Sequence, residues 1–123
     1  MRITKDNINK FINKDSSVFK DFQKMDCSNM SITHIEFIPE GVEVLFCNRN
    51  KLTSLPKLPK SLTHLYCSHN KLTSLPLLPD GLKYLNCDNN NLPYDLPYKV
   101  TLDSIKKHNK LIKRKEILKK ICV

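Results

Sequence analysis

The sequence has very few glycines and no long apolar run. With two glycines in 123 residues, it contains neither a glycine-rich phosphate-binding loop nor a G-x-S-x-G nucleophile motif. No apolar stretch approaches the roughly 20 residues that span a bilayer, and the N-terminal MRITKDNINK lacks a signal-peptide core. These absences argue against the common hydrolase and nucleotide-binding classes, and they favour a soluble, intracellular, cytoplasmic protein without enzymatic activity.

Cysteine is more frequent, and its spacing is regular. Four of the five cysteines, Cys27, Cys47, Cys67 and Cys87, follow one another at intervals of 20 residues, which indicates stacked structural repeats. Because the total of five cysteines is odd and four of them hold one repeated core position, reduced, buried thiols are favoured over a disulfide framework. Neighbouring parallel strands about 4.8 Å apart would place the sulfurs in a row and not at the corners of a tetrahedron. The histidines show no ligand spacing either, so we predict neither a metal nor a cofactor.

Other positions repeat with the same period. Nine positions of two consecutive units correspond at a distance of 20 residues. They are Leu62, Leu65, Cys67, Asn70, Leu72, Leu75, Pro76, Leu78 and Pro79 in one unit, and Val42, Leu45, Cys47, Asn50, Leu52, Leu55, Pro56, Leu58 and Pro59 in the unit before it. This pattern resembles the leucine-rich repeat. Its Leu-Pro-x-Leu-Pro endings are similar to a short bacterial subtype found in secreted effectors and also seen in proteins of amoebae and giant viruses. The ubiquitin-ligase domain of some such effectors is not carried over, because only 25 residues follow the repeats.

The resemblance implies an α+β solenoid with a short parallel sheet on its concave face. We divide the chain into an N-terminal helical cap (1–21), four repeats (22–41, 42–61, 62–81 and 82–98) and a basic C-terminal helical cap (99–123). The resemblance also implies that the amides of Asn50, Asn70 and Asn90 satisfy backbone groups of turns in adjacent repeats. Met30 occupies this position in the first unit and cannot make those bonds, so the first turn should differ.

Both flanks show helical patterns. Residues 4–13 place Ile8, Phe11 and Ile12 at helical spacing behind a candidate N-cap at Thr4, and this segment should cover the edge of the first repeat. In the tail, Thr101 is a candidate N-cap, and a vestigial fifth strand around Val100 stays open. The tail's apolar residues form two sets, Leu102, Ile105 and Ile112 against Leu111, Ile117, Leu118 and Ile121. We therefore expect a kink near residues 108–110 or a helix wedged between two surfaces, closing the last repeat.

Alternation along the strands predicts the functional face. Because successive side chains point to opposite faces, Leu65 and Cys67 should be buried while His64 and Tyr66 face outward. The resulting candidate partner-binding site comprises Val44, Phe46, His64, Tyr66, Tyr84 and Asn86, with Arg49 and His69 at its rim. Exposed rings within a polar border are typical of a protein-binding patch, and the effector likeness points to a host protein as partner. Alternatively, the rings merely cover one another.

Charge offers a second hypothesis. The net charge of +9 is unevenly distributed, since residues 99–123 carry nine basic and two acidic side chains. A basic helix can bind nucleic acid or an anionic surface, and it can also be a solvated face. The candidate residues are Lys106, Lys107, Lys110, Lys113, Arg114, Lys115, Lys119 and Lys120. The tail's surplus apolar side also leaves weak homodimerisation open beside a monomer.

Overall fold

The main feature of the fold is a five-stranded sheet in which four strands are parallel. The computed structural model describes residues 1–14, 23–93, 96 and 98–121. Its strands are Arg2–Ile3 (β1), Ile12–Lys14 (β2), Gln23–Asp26 (β3), His34–Ile35 (β4), Val42–Phe46 (β5), His64–Tyr66 (β6) and Tyr84–Asn86 (β7), and its α-helix is Leu102–Ile121 (α1). The large sheet has the order β2-β3-β5-β6-β7, while β1 and β4 form a separate pair. The predicted solenoid-like stacking of parallel strands is confirmed.

The strands stack in the register that the sequence period requires. Met25 pairs with Leu45, Leu45 with Leu65 and Leu65 with Leu85. Each pair is 20 residues apart, so equivalent residues of successive units lie side by side. This register fixes which side chains can meet across the sheet.

The core lies on the inner face of this sheet. Leu45, Leu65, Cys47 and Cys67 are fully buried, and the leucines of the return segments pack against them. Residues 48–63 and 68–83 contain no helix or strand, as expected from their paired prolines, which fix φ and exclude helix. Each unit is therefore thin, and it buries its leucines only by stacking on its neighbours.

The N-terminal segment differs from the prediction. Residues 4–13 do not form an amphipathic helix; they contain a single 3-10 turn, Ile8–Phe11, and then enter β2. Ile8 and Phe11 are buried as the pattern suggested, but β2 pairs antiparallel with β3 and covers the edge of the sheet with backbone. A short helix is marginal by itself, and the unpaired edge of β3 offers the backbone a better partner. Residues 15–21 of the predicted cap lie outside the described residues.

The opposite edge of the sheet is also covered by backbone. Lys99 forms an antiparallel bridge with Tyr84. The N–H of Leu85 donates to the carbonyl of Tyr98, and the N–H of Val100 donates to that of Lys83, both at 2.9 Å. The fifth strand that the sequence left open is thus an antiparallel bridge around Lys99.

Helix α1 lies against the side of the stack. Its N-cap is Thr101, as predicted: the Ser104 N–H donates to the Thr101 hydroxyl at 3.2 Å, and the Thr101 N–H donates to the Ser104 hydroxyl at 3.1 Å. The helix then contacts residues 76–78, the return segment that follows β6. Residues 98–100 pair with the edge of the sheet at β7, and α1 lies beside the return segments.

The expected wedging of α1 between two surfaces is wrong, and the helix is not interrupted near residues 108–110. The helix is continuous from Leu102 to Ile121. Ile105 is fully buried, whereas Leu111, Ile117 and Leu118 are 43%, 56% and 51% exposed. The set with Ile105 is therefore packed only in part, and the three described members of the other set face solvent. Helical periodicity alone did not reveal this arrangement.

Candidate functional site

The candidate site lies on the outer face of the sheet. The β5–β6 register pairs Val44 with His64 and Phe46 with Tyr66, and the β6–β7 register continues both rows to Tyr84 and Asn86. Because alternate side chains leave opposite faces of a strand, the buried leucines between these residues direct the rings outward.

The rings are in contact with one another. Phe46 and Tyr66 stack with centroids 4.8 Å apart and planes 8° apart. His64 stacks on Tyr84 at 4.8 Å and 30°, and it lies 6.4 Å from Tyr66. All four side chains are half-buried, so the stacking fixes their orientation without removing them from water.

A fifth ring, absent from the prediction, extends this group. Tyr98 is 50% exposed, lies 5.6 Å from the Tyr84 centroid and brings its hydroxyl within 3.4 Å of the Tyr66 hydroxyl. Its position follows from the antiparallel bridge at Lys99 and not from the repeat, so the twenty-residue period carried no signal for it. We call Phe46, His64, Tyr66, Tyr84 and Tyr98 the aromatic strip.

Polar groups border the strip. The ammonium nitrogen of Lys24 lies 5.2 Å from the Phe46 centroid, within the range of a cation–π contact. Arg49 and His69 are exposed and share a left-handed backbone, with φ of 56° and 55°. Asn86 is half-buried and accepts the Asp88 N–H at 3.2 Å. The predicted rim residues are thus accessible, while the Asn86 amide is partly committed to its own turn.

Val44 is less available than predicted. Only 8% of its side chain is exposed, because the strands on either side place Lys24 and His64 beside it. These longer side chains cover the short one, so Val44 supports the face more than it presents an apolar surface.

Burial shifts the titration of two residues of the strip. Desolvation, and to a smaller extent the charge of Lys83, lowers the pKa of His64. Its ring nitrogen Nδ1 lies 2.8 Å from the hydroxyl of Thr63. Desolvation and the Tyr98 hydroxyl together raise the pKa of Tyr66 to about 12. Both shifts favour the neutral forms of His64 and Tyr66.

The cysteine row is structural. Cys27, Cys47, Cys67 and Cys87 are all buried. Desolvation raises the pKa of Cys27 to about 12, and it also raises the pKa values of Cys47 and Cys67, which keeps these three sulfurs protonated and poor as nucleophiles or ligands. Among the described residues, no group of three or more histidines, cysteines or carboxylates is placed to hold a metal ion. Cys122 lies outside these residues.

The alternative basic site is accessible throughout. The eight cationic side chains that were predicted on the tail are all exposed on α1. Within the part of the chain that the structure describes, no helix combines the length and apolar character needed to cross a membrane.

Comparison with known proteins adds one match. A family model described as Leucine Rich repeats (2 copies) matches residues 60–98, the region that contains β6 and β7. Searches of curated proteins and of solved structures found no match. Together with the stacked parallel strands, the family match supports a leucine-rich repeat protein.

Proposed function

We propose that this chain is a non-enzymatic module that binds a protein partner on its aromatic strip. Leucine-rich repeat domains generally mediate protein–protein interaction. The observation that carries the proposal is the contiguous row of five half-buried or exposed rings on a face built from paired strands. Tyrosine and phenylalanine supply much of the binding energy at protein interfaces when they are centrally placed within a polar border.

The fixed orientation of the rings favours the binding hypothesis over the alternative that the rings merely cover one another. A free aromatic side chain loses rotamer entropy when a partner immobilises it, and this loss weakens association. Here Phe46 and Tyr66 are already stacked at 4.8 Å, and Tyr66 is tied to Tyr98 through its hydroxyl. Much of that entropy is therefore lost on folding, and the exposed ring edges remain available to a partner.

The border provides polar contacts of both signs. Lys24 lies at the Phe46 end, Asp26 is paired with Phe46 in the sheet register, and the exposed Arg49 follows Phe46 by three residues along the chain. Such a border gives orientation and excludes water from the centre, with little net electrostatic attraction. A partner with an exposed apolar or aromatic surface and mixed charge fits this face.

The effector-like Leu-Pro endings make a host-cell protein the first partner to seek. Reduced buried thiols agree with a cytoplasmic setting, where disulfides are rare. The proposal therefore includes a host-cell partner, a cytoplasmic location, and a monomeric or weakly dimeric state that would leave the aromatic strip accessible.

Affinity capture from a host lysate tests this function. The immobilised full chain is compared with the double variant Phe46→Ala/Tyr66→Ala and with a matched control, Leu77→Ala, whose side chain is 42% exposed on a return segment. Far-UV circular dichroism and urea midpoints establish that all three proteins are folded. Loss of two of the five rings should weaken capture of a specific partner by at least about tenfold.

The control should capture the same partner as the wild type. If the folded double variant retains the partner with unchanged affinity, the aromatic strip is not the binding surface and the proposal is wrong.

A further inference from the structure

One face of α1 is fixed against the repeats. Ile105 and His108 are buried, and the ring nitrogen Nε2 of His108 lies 2.9 Å from the carbonyl oxygen of Pro76. The Asn109 amide accepts the N–H of Leu78 at 2.7 Å and donates to the Leu78 carbonyl at 2.9 Å. These contacts determine the rotation of the helix about its axis, and therefore which residues face outward.

The outward face carries most of the positive charge. With about 100° between successive residues, the side of α1 opposite Ile105 and His108 holds five exposed cations: Lys106, Lys107, Lys110, Lys113 and Arg114. No acidic residue occurs between Asp103 and Glu116, and Glu116 borders the groove beside the return segments. Asp103 lies on the same side of α1, one turn before Lys106 and Lys107. The positive potential of this face is therefore strongest around Lys110 and Arg114.

Exposed leucines and an isoleucine lie among these cations. Leu111, Ile117 and Leu118 are 43%, 56% and 51% exposed. They contribute little to the packing of the helix on the repeats, and apolar side chains on a surface helix need a partner that buries them. Cations alone would bind phosphates of any source, whereas cations with interspersed leucines select an interface that is both anionic and apolar.

We propose that the outer face of α1 binds an anionic lipid surface. The ammonium and guanidinium groups would contact lipid phosphates and carboxylates, and Leu111 and Leu118, seven residues apart on one side of the helix, would enter the boundary of the acyl chains. Nucleic acid offers no comparable site for these leucines, and the helix has no aromatic ring to stack on bases. This surface is separate from the aromatic strip, so lipid and a protein partner can be bound together.

The experiment is co-sedimentation of the full chain with vesicles. Vesicles of phosphatidylcholine alone are compared with vesicles rich in phosphatidylserine, at salt concentrations of about 0.1 M and about 1 M, between which the Debye length falls from about 10 Å to about 3 Å. One cation near an anionic leaflet strengthens binding about fivefold, so Lys110→Gln/Arg114→Gln should weaken binding about 25-fold. The matched control is Lys51→Gln/Lys71→Gln, two exposed lysines of the repeats.

A second variant tests the apolar contribution. Leu111→Gln/Leu118→Gln keeps good helix formers at both positions, and it should weaken vesicle binding about tenfold while helicity stays constant. A parallel assay measures retention on a single-stranded RNA.

The expected pattern is binding to anionic vesicles only, lost in high salt, weakened by both α1 variants and unchanged in the control. Absence of binding to anionic vesicles overturns the proposal. It is equally overturned if vesicle binding is insensitive to the leucine variant, or if RNA is bound more tightly than vesicles, because the site then recognises phosphate and not a lipid surface.

Discussion

At the scale of single residues, Tyr66 connects the parts of the aromatic strip. Its ring stacks on Phe46 from the preceding repeat, and its hydroxyl meets that of Tyr98, the final residue of the fourth predicted repeat. Desolvation is the largest cause of its raised pKa, and the hydrogen bond to Tyr98 is the next. The titration of Tyr66 therefore reports directly on the geometry of the strip, without a partner.

Removing the Tyr98 hydroxyl should lower the pKa of Tyr66. Tyr98→Phe keeps the ring that shields Tyr66 from water but removes the hydrogen bond, so the pKa should fall below about 12 and stay above the ordinary value of 10.0. Tyrosinate absorbance during alkaline titration measures it, and Tyr66→Phe identifies the transition. If the highest transition of the Tyr98→Phe protein is unchanged, the two hydroxyls are not bonded.

The raised pKa of Tyr66 makes the stability of the fold depend on pH in the alkaline range. The folded-state pKa of Tyr66 is above its unfolded value, so the neutral form stabilises the fold below pH 10 and this contribution is lost as the pH rises toward about 12. The contribution should be absent from the pH profile of a Tyr66→Phe protein.

Individual side chains were predictable where the strand alternation decides their direction. The burial of Leu65 and Cys67 and the outward direction of Tyr66 follow from a period of two residues. The Val44 side chain also points outward by this alternation, yet it is buried, because its exposure depends on the size of the side chains beside it on the adjacent strands. Tyr98 was missed because an antiparallel segment, not a repeat, brings it to the strip.

At the scale of structural elements, a row of asparagines joins each turn to the preceding unit. The Asn70 amide donates to the carbonyls of Cys47 and Cys67, both at 3.0 Å, and its oxygen accepts the N–H of Leu52 at 3.1 Å. Asn50 and Asn90 repeat this arrangement. The bonds implied by the family resemblance are confirmed, and each amide satisfies turn groups that would otherwise be buried unpaired.

Replacing Asn70 should destabilise the protein more than the same change at Asn90. Asn70→Ala leaves buried backbone groups without partners, which should lower the free energy of unfolding by about 2–4 kcal/mol. Asn90 makes equivalent bonds but is only half-buried, so water can replace them and the loss should be nearer 1 kcal/mol. Urea denaturation of both variants measures the difference. Equal losses would show that burial does not determine the strength of these contacts.

The first turn shows what happens without this asparagine. Met30 takes the position and is 44% exposed, while the Asn50 oxygen accepts the N–H groups of Met30 and Ile32 at 3.0 and 2.9 Å. This turn has an additional left-handed residue, Ser31, with φ of 54°. The prediction that the first turn differs locally is confirmed. It could be made from the sequence because Met30 has no side-chain amide to form the bonds that Asn50 and Asn70 form in the later turns.

The flanking elements were less predictable than the repeats. Ile8, Phe11 and Ile12 fit a helical face, yet the same residues serve a 3-10 turn followed by a strand. In α1 the apolar positions were identified, but which set packs depends on the shape of the return segments and on Asn109, which pairs with Leu78. The repeated units of a solenoid can be compared with one another within a single sequence. The two terminal segments have no second copy for comparison, and their structure depends on tertiary contacts.

At the scale of the whole molecule, both edges of the sheet are occupied by other backbone. β2 pairs with β3 at one edge, and residues 98–100 pair with β7 at the other. A thin stack of repeats needs this protection, because an unpaired parallel strand presents a row of free N–H and C=O groups to other chains. The backbone pairing of β2 and of residues 98–100 at the two sheet edges, and not the length of α1, should therefore determine whether the protein self-associates.

Deleting the N-terminal edge cover should cause self-association. Without residues 1–14, the edge of β3 is unpaired and the side chains that pack with Ile3, Ile8 and Phe11 are exposed. The control deletes residues 113–123, which removes the exposed end of α1 without uncovering a strand. Light scattering over a range of concentrations should show oligomers for the first variant and an unchanged mass for the second. If the full chain is instead a dimer that dissociates when residues 113–123 are removed, the apolar side of α1 drives association and edge cover is not the controlling feature.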